Sequence, residues 1–453
     1  MDLSSKKIGI WGFGIVGKSV ANYLYSRNYD LEVLEKRNLT ELEVAWCKER
    51  DISFFAQAAD LESFLNHNDI IVPSPGIDLS SVAKYKDKFL SELDLFALHF
   101  NKPIIAITGT LGKTSTTHLL TTLLCMQGIR AVAAGNIGLG MCDLLFRQDE
   151  IDNVVLEISS FQLECSNVLK PAIAIWTNLY PNHLDRHGDM SSYFDAKFMI
   201  MSKQDEFDCA LVPFNLIKEI YKKNPSCKLN FFSINPVFES DFALLKQGDS
   251  LFYISDENIY KYHASAHEFI YPLKNLPEIT FVENWLMICA AFYLNKTQLN
   301  IDVTKLDIPE HRLEKFAQKG DVEFYNDSKS TVPEATLAAV SKFKTNNIIL
   351  FLGGLSKGFD RSIMIKELKD KVKTIICFGA EAEQLKDFCD LNTIPAYKSK
   401  TLEEAVDICM KIACDKDKVI FSPAGSSYDL FTIYTERGKA FKQLVNKEIA
   451  KRV

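Results

Sequence analysis

Ile104-Ile-Ala-Ile-Thr108-Gly109-Thr110-Leu111-Gly112-Lys113-Thr114-Ser115 is the stretch that decides the fold. Its apolar start reads as a short buried strand. The glycine-bounded turn and the apolar-periodic run after Lys113 predict a loop and a helix. In such a loop the backbone N–H groups surround phosphate oxygens, the lysine neutralises them, and the hydroxyl after the lysine ligates Mg²⁺. The match to G-x-x-x-x-G-K-[ST] is incomplete. Ile107 stands where the first glycine would fall, so the shorter G-T-x-G-K-[ST] remains. The bland alternative is a solvated lysine after a turn.

The same strand–glycine–helix pattern occurs on either side. Upstream, Ile8-Gly-Ile-Trp-Gly12-Phe-Gly14-Ile15-Val16-Gly17 leads into a helix to about Asn28, then a strand Leu31 to Leu34 ending at Glu35. Downstream, Ile348 to Gly354 is followed by a strand Thr374 to Phe378, a helix, and a strand Val419 to Ser422. Strands alternating with helices imply an α/β chain of parallel sheets covered on both faces. Linkers are read near 98–102 and near Asp307-Ile-Pro309. They divide the chain into 1–99, Rossmann-like; 100–308, a P-loop-type ATPase domain; and 309–453, again Rossmann-like. Residues 205–280, rich in Phe, Tyr, Ser and Asn, read as strands and loops added to the central parallel sheet.

Composition agrees with several domains. The chain has 453 residues, 47% of them hydrophobic, too many for one ordinary core. The net charge of -7 argues against a nucleic-acid footprint. The 11 cysteines contain no C-x-x-C pair and read as reduced, mostly buried thiols of a cytoplasmic protein. No secretory signal is visible at the start. The most apolar stretch, Trp285 to Leu294, is too short for a bilayer span and reads as a buried helix.

Gly12 to Gly17 fits G-x-G-x-x-G between a strand and a helix, with Glu35 18 residues beyond Gly17. That chemistry is a pyrophosphate at a helix N-terminus and an acid for a sugar hydroxyl. It suits a nicotinamide dinucleotide or a UDP-sugar, and an empty tight turn is the alternative. Pro73-Ser74-Pro75-Gly76-Ile77 follows the strand Asp69 to Val72, at the ligand edge of the same sheet. Candidate metal ligands are Glu157, ending the apolar strand Val154-Val-Leu, and His183 in the polar loop Asn178 to His187. By residue type alone, His183 is a surface histidine and Lys197 a solvated lysine.

Further motifs accompany the two glycine loops and Ser74-Pro-Gly-Ile77. They are Glu157-Ile-Ser-Ser-Phe-Gln162, Asn182-His183-Leu-Asp-Arg186, Glu310-His311-Arg312-Leu-Glu314 and Asn326-Asp327-Ser-Lys329-Ser-Thr331. Gly353-Gly354 with Lys357 and Ser422-Pro-Ala-Gly-Ser-Ser427-Tyr-Asp429-Leu-Phe431 follow. In this order and spacing the whole chain resembles the Mur ligase family. The Asn-Asp-Ser-Lys segment and the Ser-Pro-Gly-Ile loop favour the D-glutamate-adding member; the Asp-Asn-Pro-Arg motif of the diaminopimelate- or lysine-adding member is absent.

The resemblance implies a monomeric ligase of peptidoglycan precursor synthesis, with no nucleic-acid or membrane partner. ATP would activate the carboxylate of UDP-N-acetylmuramoyl-L-alanine as an acyl phosphate, which the amine of D-glutamate attacks. It implies ATP contacts from Gly109, Thr110, Leu111, Gly112, Lys113, Thr114, Ser115, Asn284, Arg312, Asp327 and Lys329. Two Mg²⁺ ions would be held by Thr114 with Glu157 and by His183 with a carbamylated Lys197. Gly14, Ile15, Val16, Glu35, Arg37, Ser74, Gly76, Asn136 and Gln162 would take the UDP-sugar peptide. Thr331, Lys357, Ser427 and Phe431 would take D-glutamate, with domain closure excluding water from the acyl phosphate; for Phe431, core packing is the alternative.

The chain departs from the family pattern at Leu111 (usually Asn or His), Phe281 (often Asn), Leu355 (often acidic), Val16 and Glu35 (commonly Thr and Asp). These departures fit a divergent but complete ligase, or one with another amino acid or carboxylate acceptor. A nicotinamide-dependent oxidoreductase would leave the Lys113 loop and the third domain without a use.

Overall fold

Each of the three strand–glycine–helix openings starts the parallel core of its own sheet. The computed structural model describes residues 3, 5–137, 140–277, 282–299, 306, 310–343, 345–356, 358 and 360–451, the side chains of Ala58, Ser80 and Asp185 excepted.

The first sheet contains β1 (Lys7–Trp11), β2 (Asp30–Glu35), β3 (Ser53–Ala56) and β4 (Ile70–Pro73), in the order β3-β2-β1-β4, all parallel. The chain winds to one side of β1 and then crosses to the other. The Gly12–Gly17 loop therefore leaves β1 at the switch point, where open α/β sheets take ligands.

The central sheet holds β5 (Ile104–Thr108), β6 (Ala131–Gly135), β7 (Asn153–Glu157), β8 (Ile173–Trp176), β9 (Cys209–Pro213), β10 (Lys228–Ser233), β11 (Ser250–Ser255), β12 (Asn258–His263) and β13 (Ala266–Pro272). Its order is β13-β12-β11-β10-β9-β8-β5-β7-β6. Pairing is parallel from β6 through β11, and β12 and β13 add an antiparallel edge. Residues 205–280 thus supply five strands that continue the same sheet, as the sequence led us to expect. β5 lies between β7 and β8, so the ends of those neighbours face the phosphate-type loop.

The third sheet contains β14 (Glu314–Lys319), β15 (Val322–Asn326), β16 (Ile348–Gly353), β17 (Thr374–Phe378), β18 (Ala396–Ser399) and β19 (Lys418–Phe421). It runs β14-β15-β19-β16-β17-β18, antiparallel only at β14–β15. Apolar clusters cover both of its faces.

Contacts divide the chain into two units, one with the first and central sheets and one with the third. In the first unit a single core joins both sheets through the helix Glu92–His99, whose Leu93, Leu95 and Phe96 are buried. Polar locks reinforce this join. Glu92 Oε1 accepts from the Met141 and Cys142 N–H groups (2.7 and 3.4 Å), and burial raises its pKa to about 7. Asp94 accepts from Ser166 Oγ, Asn167 N and Val168 N at 2.7–3.1 Å. Trp285 to Phe292 lie buried inside the helix Val282–Leu294, as their composition suggested. Among the described residues no helix is long and apolar enough to cross a membrane. The linker read at 307–309 lies outside the described residues.

Candidate active site

β5 is buried along its whole length and delivers Gly109 to the edge of the sheet. Two glycines of the loop are required by geometry. Gly109 has φ +141°, and a Cβ there would lie 1.9 Å from Thr177 Oγ1. Gly112 has φ +81°, and its Cβ would lie 2.8 Å from Asn284 Oδ1. The segment after β8 holds the loop between them. Asn178 accepts from Leu111 N (2.8 Å) through Oδ1 and donates to Leu111 O (3.1 Å) through Nδ2. Thr177 Oγ1 also donates to Leu111 O (2.6 Å), and Thr110 N donates to Asn178 O (3.1 Å). The departure at Leu111 therefore leaves the loop held by its backbone. Thr114 and Ser115 lie in the first turn of the helix Lys113–Met126.

Two lysines meet at this loop. Lys113 Nζ donates to Gly109 O (2.8 Å) and Thr110 O (3.0 Å), and Lys197 Nζ donates to the same Gly109 O (2.9 Å). Lys197 is 1% exposed, with its amine 4.5 Å from the Tyr193 ring centroid. Burial, and next the charge of Lys113, push its pKa well below the ordinary lysine range. The expectation of a solvated lysine is overturned: the helix Met190–Phe198 turns this residue inward.

Glu157 ends β7 and is 2% exposed. Its Oε1 accepts from Asn136 Nδ2 (3.0 Å), while Oε2 is buried with no hydrogen-bond partner among the described residues. Thr108 Oγ1 and Asn284 Oδ1 are buried and unpartnered in the same way. A buried carboxylate oxygen without a donor is costly, and a cation relieves that cost. His183 stands in the left-handed region (φ 55°) on an exposed loop, its ring against Phe161 at 4.9 Å. Among the described residues no three His, Cys, Asp or Glu side chains group as a metal site. A cation here needs other ligand types as well, such as the Thr114 hydroxyl or a modified Lys197.

At the first sheet, Gly12 (φ +93°) leaves no room for a Cβ, which would fall 2.6 Å from Ser74 Oγ. A Cβ on Gly17 would fall 1.9 Å from Gly12 O. Gly14, Ile15 and Gly76 are exposed, and Val16 packs partly against the core. Glu35 braces the loop, accepting from Phe13 N (2.6 Å) and from Lys36 N and Arg37 N (2.7 and 3.3 Å). Arg37 forks onto Glu43 at 2.7 and 2.8 Å. A cleft lined by Ser74, Ile77, Glu92, Phe161, Gln162 and Arg186 runs from the Ser74–Ile77 loop to the central domain. Gln162 is buried and closes a capping box with Ser159 through its Oε1.

In the second unit, Asp327 follows β15 and is fully enclosed. It accepts from Ser330 Oγ (2.5 Å), Ser422 Oγ (2.8 Å) and Leu313 N (3.0 Å), and burial raises its pKa to about 7. Arg312 adjoins Leu313 and is half-buried. Lys329 places its ammonium 4.1 Å from the Tyr434 ring centroid. Thr331 is half-buried and Ser427 buried; Ser427 O accepts from Phe431 N (2.8 Å). Phe431 packs partly on the core cluster of Phe421 and Phe441. Leu355 pairs by backbone with Ser426 (2.8 and 3.1 Å). Lys357 and Phe281 lie outside the described residues. Sequence reading missed Thr177, Asn178 and two buried arginines, Arg361 and Arg437. The contacts of Thr177, Asn178 and Arg437 join segments far apart in the chain, which no local pattern marks.

Descriptions for the "Mur ligase MurD-like, N-terminal domain", the "Mur ligase middle domain" and the "Mur ligase, glutamate ligase domain" match residues 6–86, 107–273 and 311–425. The UDP-N-acetylmuramoylalanine--D-glutamate ligase of Desulfotalea psychrophila is 32% identical, over 96% of this chain and 95% of its own. That of Caldanaerobacter subterraneus subsp. tengcongensis is also 32% identical, over 98% and 99%. Among solved structures, the MurF ligase of Thermotoga maritima in complex with ADP superposes with TM-score 0.58 at 15% identity, over 98% of this chain and 95% of its own. The pseudomurein peptide ligase type C of Methanothermus fervidus gives 0.57 at 18%, over 98% and 100%. With full-length relatives, three matching domains in order and a three-sheet fold of the same kind, the chain belongs to the Mur ligase family.

Proposed function

We propose that this chain joins D-glutamate to UDP-N-acetylmuramoyl-L-alanine in peptidoglycan precursor synthesis, converting ATP to ADP and phosphate. The observation that carries the reading is the Gly109–Lys113 loop at the end of β5, in a chain matched over 96% of its length by a D-glutamate ligase. We assign residues 1–99 to the nucleotide-sugar, 100–308 to ATP and 309–453 to the amino acid, in a monomer working in the cytoplasm.

A carboxylate oxygen of the alanyl group attacks the γ-phosphorus and ADP departs, leaving an acyl phosphate. The free amine of D-glutamate then attacks the acyl carbon, loses a proton, and phosphate leaves with the C–O bond. Lys113 lies folded onto the loop carbonyls and would exchange them for the transferring phosphate's oxygens. Asn284, Arg312, Asp327 and Lys329 hold the nucleotide. Gly14, Ile15, Val16, Glu35, Arg37, Ser74, Gly76, Asn136 and Gln162 orient the sugar peptide, while Thr331, Lys357, Ser427 and Phe431 take D-glutamate.

The residues present fit divalent cations. Glu157 Oε2 is a buried acceptor without a donor among the described residues, and Lys197 is a buried amine whose pKa burial pushes well below the ordinary lysine range, so that its free-amine form would add CO₂, lose a proton and become an anionic oxygen ligand. Thr114 with Glu157, and His183 with carbamylated Lys197, would hold two Mg²⁺ ions, whose chemistry is to neutralise phosphate charge.

Phosphate release with the purified protein tests the reading. It should require ATP, Mg²⁺, UDP-N-acetylmuramoyl-L-alanine and D-glutamate together. Equal turnover with L-glutamate, or without the sugar peptide, would overturn it.

A further inference from the structure

Arg437 is 0% exposed, yet no carboxylate stands within ion-pair distance of it among the described residues. It comes from the first turn of the helix Tyr434–Ala450. Among the described residues its guanidinium donates to neutral oxygens: Nε to Ser328 Oγ (3.1 Å), Nη2 to Ser328 O (2.7 Å) and Nη1 to Gly425 O (2.9 Å). A buried cation hydrogen-bonded to neutral oxygens is a poor device for stability alone, since the charge of Asp429, beyond ion-pair distance, offsets only part of its desolvation.

Its partners give it another use. Ser328 lies inside Asn326-Asp327-Ser-Lys329, and Gly425 inside Ser422-Pro-Ala-Gly-Ser-Ser427. A third loop closes on the same group: a Cβ on Gly354 would come 2.9 Å from Arg437 Nη1 and 2.0 Å from Ser426 O. These loops are interlocked by backbone, with Ala424 N donating to Ser330 O (3.1 Å), Ser426 N to Leu355 O (2.8 Å) and Gly353 N to Pro423 O (3.0 Å). Ser328 Oγ passes a further hydrogen bond to Tyr434 O (2.8 Å). The planar fork of one guanidinium reaches both carbonyls and the hydroxyl at once from three nitrogens, which a lysine ammonium cannot do from its single nitrogen.

We infer that Arg437 is a positioning residue that sets the nucleotide-holding loop at Asp327–Lys329 and the amino-acid-holding loop at Ser422–Ser427 in one fixed register. The inference rests on the ligase reading for what the two loops hold. Displacing such loops slightly is enough to lower turnover, because the reacting groups must be placed to within a fraction of an ångström.

The test compares Arg437→Lys and Ser328→Ala with the wild type in two independent measurements. In hydrogen–deuterium exchange, the amides of Ser330, Ala424, Ser426 and Leu355 should exchange at least about tenfold faster in both variants, while β17 and the far end of the helix Tyr434–Ala450 stay protected. In steady-state kinetics, KM for ATP and for D-glutamate should rise together, with KM for the sugar peptide within about twofold of wild type. Faster exchange in only one loop, or a uniform rise across the unit, overturns the inference whatever the activity. So do unchanged KM values for both ATP and D-glutamate. A wild type that does not turn over defeats the ligase reading instead, and leaves the exchange result to decide the role of Arg437.

Discussion

Lys113 and Lys197 donate to one carbonyl oxygen, that of Gly109, at 2.8 and 2.9 Å. Two ammonium groups that share one acceptor repel, and burial removes the water that would screen them. Lys197 is the deeper of the two, and burial together with the charge of Lys113 lowers its pKa, which favours the free amine that reacts with CO₂.

Incubation with ¹³C-bicarbonate should therefore produce a carbamate carbonyl signal that Lys197→Met removes, along with at least about 100-fold of turnover. The methionine variant should unfold no earlier than wild type, because it replaces a buried amine. The sign of the pH dependence follows. The folded state holds Lys197 below its unfolded value of 10.5, so the penalty in wild type grows as pH falls from 10.5 towards the depressed folded value. In apo protein without bicarbonate, the methionine variant's margin should shrink on raising pH through that window. A margin constant with pH would place the charge elsewhere.

Glu157 supplies a second check. Its Oε2 is buried without a donor among the described residues, and Oε1 already accepts from Asn136 at 3.0 Å. Glu157→Gln can keep the Asn136 contact while removing the charge. The variant should lose at least about 100-fold in turnover. Its thermal midpoint should also cease to rise on adding Mg²⁺ where the wild-type midpoint does rise, since ligand binding to the folded state alone stabilises it. Equal Mg²⁺ response in both proteins would remove Glu157 from the metal set.

The legible and hidden parts of this site differ in physical kind. The places of Lys113 and Glu157 in the fold were readable because one opens the helix after a strand and glycine loop and the other ends an apolar strand. The strand at Thr374 to Phe378 was readable to the residue from its apolar run and flanking turns. The extent of β9 to β11 was not, because strands buried on both faces lose the alternation that marks a strand. Lys197 alone read as solvated, since its burial depends on β5 and the helix Met190–Phe198 meeting around Gly109. Asn178 and Arg437 act on partners 67 and 109 residues away in sequence, distances at which no motif operates.

Asp327 gives the second unit its own titration. Burial raises its pKa to about 7 from the ordinary value of 3.8, against the lowering effect of Ser330, Ser422 and Leu313. A carboxyl whose folded pKa is raised stabilises the fold below its unfolded pKa, and that contribution fades as pH climbs through the folded value. Wild type should therefore lose stability relative to Asp327→Asn between pH 4 and 7, by on the order of 4 kcal/mol in total, and hold a constant difference above that. Denaturant melts of both proteins across this range measure it. A difference independent of pH would mean that Asp327 is ionised throughout.

The last prediction concerns the departure at Leu111. Asn178 grips that residue by its backbone, accepting from N–H at 2.8 Å and donating to C=O at 3.1 Å, as a neighbouring strand would. Asn178→Ala removes both bonds and frees the loop, which should weaken ATP binding by about 1–2 kcal/mol, or roughly tenfold in KM. Asn178→Asp should be no better. Its carboxylate can still accept from Leu111 N–H, but it sets a second negative oxygen against the Leu111 carbonyl where a donor stood. KM for the sugar peptide should stay near wild type in both variants, because Asn178 holds the phosphate loop and not the first-sheet cleft. An aspartate variant with wild-type KM for ATP would show that the donated bond to Leu111 O does not hold the loop, and that Thr177 Oγ1, at 2.6 Å from the same oxygen, suffices.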